Sequence, residues 1–249
     1  MTTMQITIGH LYPRSMNTYG DTGNIICLRQ RGAWRGIEVK VIGLEIGDPV
    51  PEGIDLYFFG GGQDAAQGPV GTDLLKLKGG KLKEEAAAGK GILAICGGYQ
   101  LLGASYLPFE GEPIEGLGIF PVETKASKKR SIGNIVVKAD PSLGLPAGST
   151  LVGFENHSGQ TSFTSQATPL GSVLHGSGNN GEDRTEGCVQ GNAIGCYLHG
   201  SLLPKNPHLA DLLIQTACRR HDPSYVLAPL DDTAEWAAHN ALVARYAKA

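Results

Sequence analysis

The stretch GILAICGGYQ, residues 91–100, sets the reading of the whole chain. Gly91 to Ile95 is a short apolar run of the kind that suits a strand buried on both faces of a parallel sheet. Cys96 follows at once, with Ala94 and Gly98 at −2 and +2, and YQLLG then continues with helical character. A nucleophile on so sharp a strand-to-helix turn needs small neighbours, because larger ones would clash, and the turn leaves its side chain at the top of the sheet. A cysteine at a helix N-terminus also meets the positive end of the helix dipole, which favours the thiolate. Read for structure alone, the same residues would be a buried cysteine in a glycine-rich turn.

Working outward, strand and helix alternate through the first hundred residues. Met4 to Ile8 alternates and reads as a first strand, and Asn24 caps a helix that carries Ile25, Leu28 and Trp34. Ile37 to Val41 alternates strictly, and Asp55 to Phe59 is a nearly continuous apolar run ending in Gly60-Gly61-Gly62. Asp73 to Ala88 reads as a helix that Gly79-Gly80 must interrupt or bend. This pattern predicts an α/β, flavodoxin- or Rossmann-like fold, a mostly parallel sheet flanked by helices. In the second half, short runs such as 132–137, 151–154, 172–174 and 194–198 predict mixed or antiparallel strands added at the sheet edge. A helix is expected from Asn206-Pro207, a cap followed by proline at the first helical position, and a last one over 233–246. No linker-like tract separates the halves, so one domain over 1–249 is expected.

Composition narrows the class. The 249 residues permit one large domain or two small ones. Glycine is abundant, 36 residues, without any collagen-like or low-complexity period, so it serves turns and close backbone approaches. A net charge of −3 leaves no basic footprint for nucleic acid. No apolar run approaches the roughly 18 residues of a membrane span, and MTTMQITIGH turns polar too quickly for a signal peptide. Five cysteines (Cys27, Cys96, Cys188, Cys196, Cys218) make an odd set without C-x-x-C spacing, which points to neither disulfides nor a zinc site. A cytoplasmic enzyme that binds no metal is the expectation.

Ligands of an open α/β sheet sit at the carboxyl ends of its strands. Gly60-Gly61-Gly62-Gln63-Asp64 would bring backbone N–H groups close to a substrate there, as an oxyanion hole requires, although a plain tight turn also explains it. Tyr197-Leu198-His199-Gly200 ends another apolar run, and His199 is the best-placed base for Cys96. His10 and His157 lie near strand ends and stay open, whereas His175, His208, His221 and His239 read as surface or helix residues.

These segments resemble a known family. ICGGYQLLG is similar to the C-x-G-x-Q nucleophile motif of class I glutamine amidotransferases, and YLHG to their histidine motif. MNTYGDTGNI, FFGGGQD and GFENHSG resemble the cobyric-acid-synthase-like branch, and within it the GatD-type glutaminase subunits of lipid II isoglutaminyl synthases. The resemblance covers most of the chain, from Tyr19 to Leu202, with the five motifs in order. The resemblance implies Cys96 as nucleophile and His199 as general base, with Gln100 and Arg130 contacting L-glutamine. It also implies an oxyanion hole from Gly97 and the Gly61-Gly62 loop. Arg130 also reads as part of a solvated run with Lys128 and Lys129.

One departure stands out. Most class I members carry His-x-Glu, and here Ser201 occupies the acid's place, as in the cobyric-acid-synthase branch. The alternatives are a Cys–His dyad, an acid from within the chain such as Glu155 or Asp64, or a carboxylate from a partner subunit, the favoured option. The chain has no G-x-x-x-x-G-K-[ST] loop; Leu75 and Glu84 stand where the first glycine would precede Lys81 and Lys90. The resemblance therefore implies no cofactor in this chain. ATP and magnesium would belong to a Mur-ligase-like (MurT-type) synthetase partner that amidates D-glutamate of the lipid II stem peptide at the inner membrane face. Ammonia delivery to a corrinoid or similar cofactor, a catalytically silent regulatory subunit and an unrelated cysteine hydrolase are the competing readings.

Overall fold

Four strands that pack side by side in one sheet decide where chemistry can occur. The computed structural model describes residues 4–17 and 20–247. Its first half runs β1 (Gln5–Leu11), α1 (Thr22–Ala33), β2 (Glu38–Leu44), β3 (Leu56–Phe59), α2 (Asp64–Asp73), α3 (Gly79–Ala87), β4 (Gly91–Ile95) and α4 (Gly97–Leu102). Then follow β5 (Ser105–Leu107), β6 (Ile114–Glu115), β7 (Val122–Ala139), β8 (Thr150–Phe163), β9 (Gly171–His175), β10 (Thr185–Glu186), β11 (Cys188–Gln190) and β12 (Ala193–Cys196). Helices α5 (Pro207–Cys218) and α6 (Thr233–Tyr246) close the chain.

The first sheet has the order β11-β12-β4-β3-β1-β2. All its pairings are parallel except β11 with β12. β3, β4 and β12 are buried at every residue, which is why their sequences are apolar without alternation. β2 forms an edge, and most of its residues are exposed. The predicted α/β fold is therefore present, with two adjustments.

The second half does not simply extend that edge. Only β11 and β12 join the first sheet; the rest form a second one, β10-β9-β7-β5-β6, with β8 paired to β7. The long β7–β8 ladder carries a register shift between Ala126 and Ser131. Such a ladder buries its own inner face, so its strands need no place beside β2. The other adjustment concerns the second helical region, which begins at Asp64 rather than Asp73 and runs through Pro69. A proline there removes one intrahelical hydrogen bond, which burial of Val70 and Leu74 in the core outweighs. The bend expected at Gly79-Gly80 is a π-helical turn just before it, Leu74–Lys78, where buried Lys78 pairs with Asp73.

Registry fixes the functional end of the sheet. Phe59 lies beside Ala94 and beside Leu11, and Ile95 lies beside Cys196. The segments leaving β1, β3, β4 and β12 therefore emerge at one end, next to one another. The second sheet reaches the same place through a bridge between Phe154 and His199, with Phe154 N–H donating to the His199 carbonyl (3.2 Å) and His199 N–H to that of Phe154 (2.9 Å).

Candidate active site

Cys96 stands between β4 and α4 with φ 50° and ψ −107°, a left-handed conformation that costs a non-glycine residue about 1–3 kcal/mol. Its neighbours hold it there. The Cys96 N–H donates to the Cys196 carbonyl (2.8 Å), its own carbonyl accepts from Gln100 N–H (2.9 Å), and Gly98 N–H donates to the Gly60 carbonyl (3.1 Å). This is the strained strand-to-helix turn predicted from its small neighbours.

His199 is 1% exposed and lies beside Cys96, both flanking Gly61. On its other side, Nδ1 lies 3.3 Å from Oδ1 of Asp21, a fully buried carboxylate at the start of α1. Burial opposes a charge on the imidazole, but Cys96 and Asp21 together outweigh it and push the His199 pKa up to about 10. The second Asp21 oxygen accepts the Gly61 N–H at 2.7 Å. Gly61 is wedged in this cluster: a β-carbon there would stand 2.8 Å from Cε1 of His199 and 3.3 Å from Cβ of Cys96.

That bond corrects one expectation. The Gly61 N–H donates to Asp21, so among the amides expected to hold an oxyanion Gly62 and Gly97 are the candidates left. Gly62 N lies 3.0 Å from where a β-carbon of Gly97 would sit, which brings the two amides together. The Gly97 N–H, in the first turn of α4, has no intrahelical acceptor. Of the expected acids, Glu155 falls elsewhere. Glu155 accepts the N–H groups of Ser177 (2.8 and 3.0 Å) and Gly178 (3.0 Å). The side chain of Asp64 lies outside the described residues, as do Thr18 and Tyr19 of the MNTYGDTGNI segment. A carboxylate from this chain already occupies the position for which a partner's was favoured.

A nucleophile on an elbow, a buried histidine beside it and a glycine loop facing both describe acyl transfer. The sequence profile of the CobB/CobQ-like glutamine amidotransferase domain matches residues 7–207. The chain belongs to this family. It is 42% identical to the subunit GatD of the glutamine-hydrolysing lipid II isoglutaminyl synthase of Staphylococcus aureus, over 97% of this chain and 96% of that protein. The GatD subunit of Streptococcus pneumoniae is 39% identical over 87% of this chain and 82% of that protein. A probable cobyric acid synthase of Methanocella arvoryzae is 34% identical over 62% of this chain but only 31% of that protein. The fold is shared with the solved PurLQS of Thermotoga maritima (TM-score 0.55, 17% identity, 88% of this chain and 97% of that one). It is shared as well with the glutaminase domain of Trypanosoma brucei CTPS (TM-score 0.51, 12% identity, 90% and 96%).

This glutamine amidotransferase builds the floor of its site from buried amides and hydroxyls. Gln100 is 3% exposed; its Oε1 accepts from Gln67 Nε2 (3.0 Å) and its Nε2 donates to the Tyr197 hydroxyl (3.1 Å). These bonds use one of the two Nε2 hydrogens and one of the two Oε1 lone pairs. Tyr197 continues the chain to Thr161 (2.6 Å), which meets Thr124 (2.6 Å). The GFENHSG segment feeds the same floor. His157 stacks on Tyr197, with ring centroids 3.8 Å apart, and its Nδ1 contacts the Gly159 carbonyl. His10, also left open as a base by the sequence, packs edge-on against Phe58, and burial pushes its pKa down to about 4. Arg130, an exposed residue of β7, donates to Asn156 Oδ1 at 2.7 Å on the neighbouring strand.

Sequence reasoning missed Asp21 and Gln67. The sequence puts the helix cap at Asn24, whereas α1 begins at Thr22 with Asp21 in the cap position, its side chain capping nothing, and Asn24 Oδ1 accepts the Leu203 N–H instead. The available signal was an acid in a small-residue turn at the carboxyl end of β1, one strand from the Gly60–Gly62 loop. Gln67 gave no signal, since it lies in a helix that Gly68-Pro69 concealed.

Proposed function

We propose that this chain is the glutaminase subunit of a lipid II isoglutaminyl synthase. The Cys96 thiolate attacks the side-chain amide carbon of L-glutamine, and the resulting oxyanion is held by the Gly62 and Gly97 N–H groups. His199 gives its proton to the departing nitrogen, ammonia leaves, and a γ-glutamyl thioester remains on Cys96. His199 then takes a proton from water as that water attacks the thioester, releasing glutamate and restoring the thiolate–imidazolium pair. Gln100 and Arg130 are assigned to glutamine binding, Gln100 from the floor of the site and Arg130 from β7.

Making an amide from a carboxylate needs ATP, so the ammonia serves a Mur-ligase-like, MurT-type partner that carries ATP and magnesium. That partner amidates the α-carboxyl of D-glutamate in lipid II to D-isoglutamine. The pair works in the cytoplasm against the inner membrane face; no helix among the described residues is long and apolar enough to cross a membrane. The observation that carries this reading is the Cys96–His199 pair, in a chain that matches a GatD subunit along nearly the whole length of both proteins. The cobyric acid synthase of Methanocella arvoryzae matches over 31% of its length only, which weighs against service to a corrinoid.

Glutamate release from L-glutamine by the purified chain, beside Cys96→Ala and with or without a MurT-type ligase, tests the proposal. Turnover that disappears in Cys96→Ala, together with ATP-dependent amidation of lipid II by the pair, is the expected result. A folded chain that releases no glutamate in either setting would leave a silent subunit or a hydrolase of another amide.

A further inference from the structure

The residue two after His199, where most class I amidotransferases carry an acid, is Ser201. Ser201 adopts a left-handed φ of 51°, and its hydroxyl donates to the Gly20 carbonyl at 2.9 Å. Gly20 is bonded directly to Asp21. The approach is close enough to need a glycine on the opposite side: a β-carbon at Gly23 would stand 2.0 Å from Oγ of Ser201. Two further bonds fasten the same turn, Thr22 N–H to Asn17 Oδ1 (2.8 Å) and Leu203 N–H to Asn24 Oδ1 (2.9 Å). The start of α1 is thus stapled to the segment that follows His199, and the carboxylate it presents is fully buried between His199 and the Gly60–Gly62 loop.

From this geometry we infer that Asp21 is the orienting acid of the amidotransferase, with Ser201 as the residue that positions it. The inference rests on the glutaminase reading above. One carboxylate performs two tasks. Oδ1 receives Nδ1 of His199, which fixes the ring so that Nε2 faces Cys96 and stabilises the imidazolium. Oδ2 receives the Gly61 N–H, which sets the orientation of the peptide leading to the Gly62 amide. The base and the oxyanion loop are therefore aligned by the same side chain, and a carboxylate from a partner subunit is not required. A glutamate at position 201 could not take over this task while α1 starts where it does, because Gly23 already touches the much smaller serine.

Asp21→Asn replaces one acceptor oxygen by a donor, so either His199 or Gly61 N–H faces an NH₂ group. We expect kcat for glutamine hydrolysis to fall by about 10²–10⁴-fold, the range seen when an orienting acid is lost, with KM within about three-fold. Asp21 also helps hold the proton on His199, so the alkaline limb of the kcat–pH profile should move to lower pH. A merely structural residue would leave that limb in place. Ser201→Ala, which keeps the carboxylate but loosens its seat, should shift the limb the same way with a smaller loss of about ten-fold.

These variants are assayed alone and with the ligase partner, beside Cys96→Ala, with thermal melting as the check on folding. A folded Asp21→Asn that keeps wild-type kcat and limb overturns the inference. Restoration of that variant to wild-type turnover by the partner also overturns it and assigns the acid to the partner. Should Asp21→Asn fail to fold, wild-type behaviour of Ser201→Ala overturns it instead. Hydrolysis that persists in Cys96→Ala refutes the glutaminase reading itself, whatever Asp21 does.

Discussion

Buried titratable residues around Cys96 show how environment, more than residue type, assigns a role. Asp21 and Glu186 are both fully buried carboxyl groups, yet they face opposite surroundings. Asp21 receives an imidazole and a backbone N–H. Glu186 accepts the Tyr197 N–H at 2.6 Å, but burial and the nearby Glu155 carboxylate push its pKa up to about 8. It is therefore folded as the neutral acid well above its ordinary 4.5. Between those two values the folded chain holds a proton that the unfolded chain has released, so stability present below pH 4.5 is lost as pH rises toward 8. Glu186→Gln keeps the acceptor and removes the titration. Urea midpoints measured from pH 4.5 to 8.5 should show a flatter profile for this variant and greater stability than wild type at the alkaline end. The same contrast explains what the sequence could not disclose. Cys96 and His199 were legible because each ends an apolar run with small neighbours. Asp21 was not, because the cap was read at Asn24, and only the folded chain shows the Gly61 N–H and His199 on the two Asp21 oxygens.

Legibility at the level of elements followed burial. The strands with both faces covered, β3 and β4, announce themselves as unbroken apolar runs, and α5 begins at the Asn206-Pro207 signal. The strands of the second sheet have one face in water and short apolar patterns, so their existence was readable but their sheet membership was not. Pairing between β7 and β8 depends on contacts that no local pattern encodes. Helix α6 illustrates a docking that is both local and titratable. The His208 ring of α5 stacks on Trp236 of α6, with centroids 5.0 Å apart, and His239 meets both Lys205 O and Thr150 Oγ1 at 2.8 Å. Burial, and next the nearby His239, push the His208 pKa down to about 4 from 6.5, and burial also lowers that of His239. Docking of α6 is thus complete above pH 6.5 and weakens as pH falls toward 4, because the released rings take up protons that the packed ones cannot. Trp236 fluorescence in a Trp34→Phe background should report loss of α6 docking across that window. His208→Phe, which keeps a stacked ring without a titrating group, should move the transition to lower pH.

Across the whole molecule, the site depends on α1 being held from both ends. Its first residues carry the turn that presents Asp21. Near its last turn, buried Arg31 donates to Asp211 of α5 (2.8 Å) and, through both terminal nitrogens, to Asp232 at the foot of α6 (2.6 and 2.9 Å). These partners lie 180 and 201 residues away in the chain, so one guanidinium joins the opening helix to the two closing ones. Truncating one member of a fully buried ion cluster costs about 3–5 kcal/mol, since the remaining charges are left without compensation. Asp211 and Asp232 keep 26% and 15% side-chain exposure, and water would relieve part of that penalty. Arg31→Ala should therefore cost about 2–3 kcal/mol in urea unfolding, a discount on the buried figure. Arg31→Lys should recover only part of it, because an ammonium cannot bind Asp232 through two parallel bonds. The loss should fall on the global transition rather than on α6 alone, since α1 packs on β2 and on α5, and α5 packs on β1 and β4. A variant whose α6 amides exchange faster while the urea midpoint stays at the wild-type value would show instead that Arg31 fastens the closing helix and nothing more.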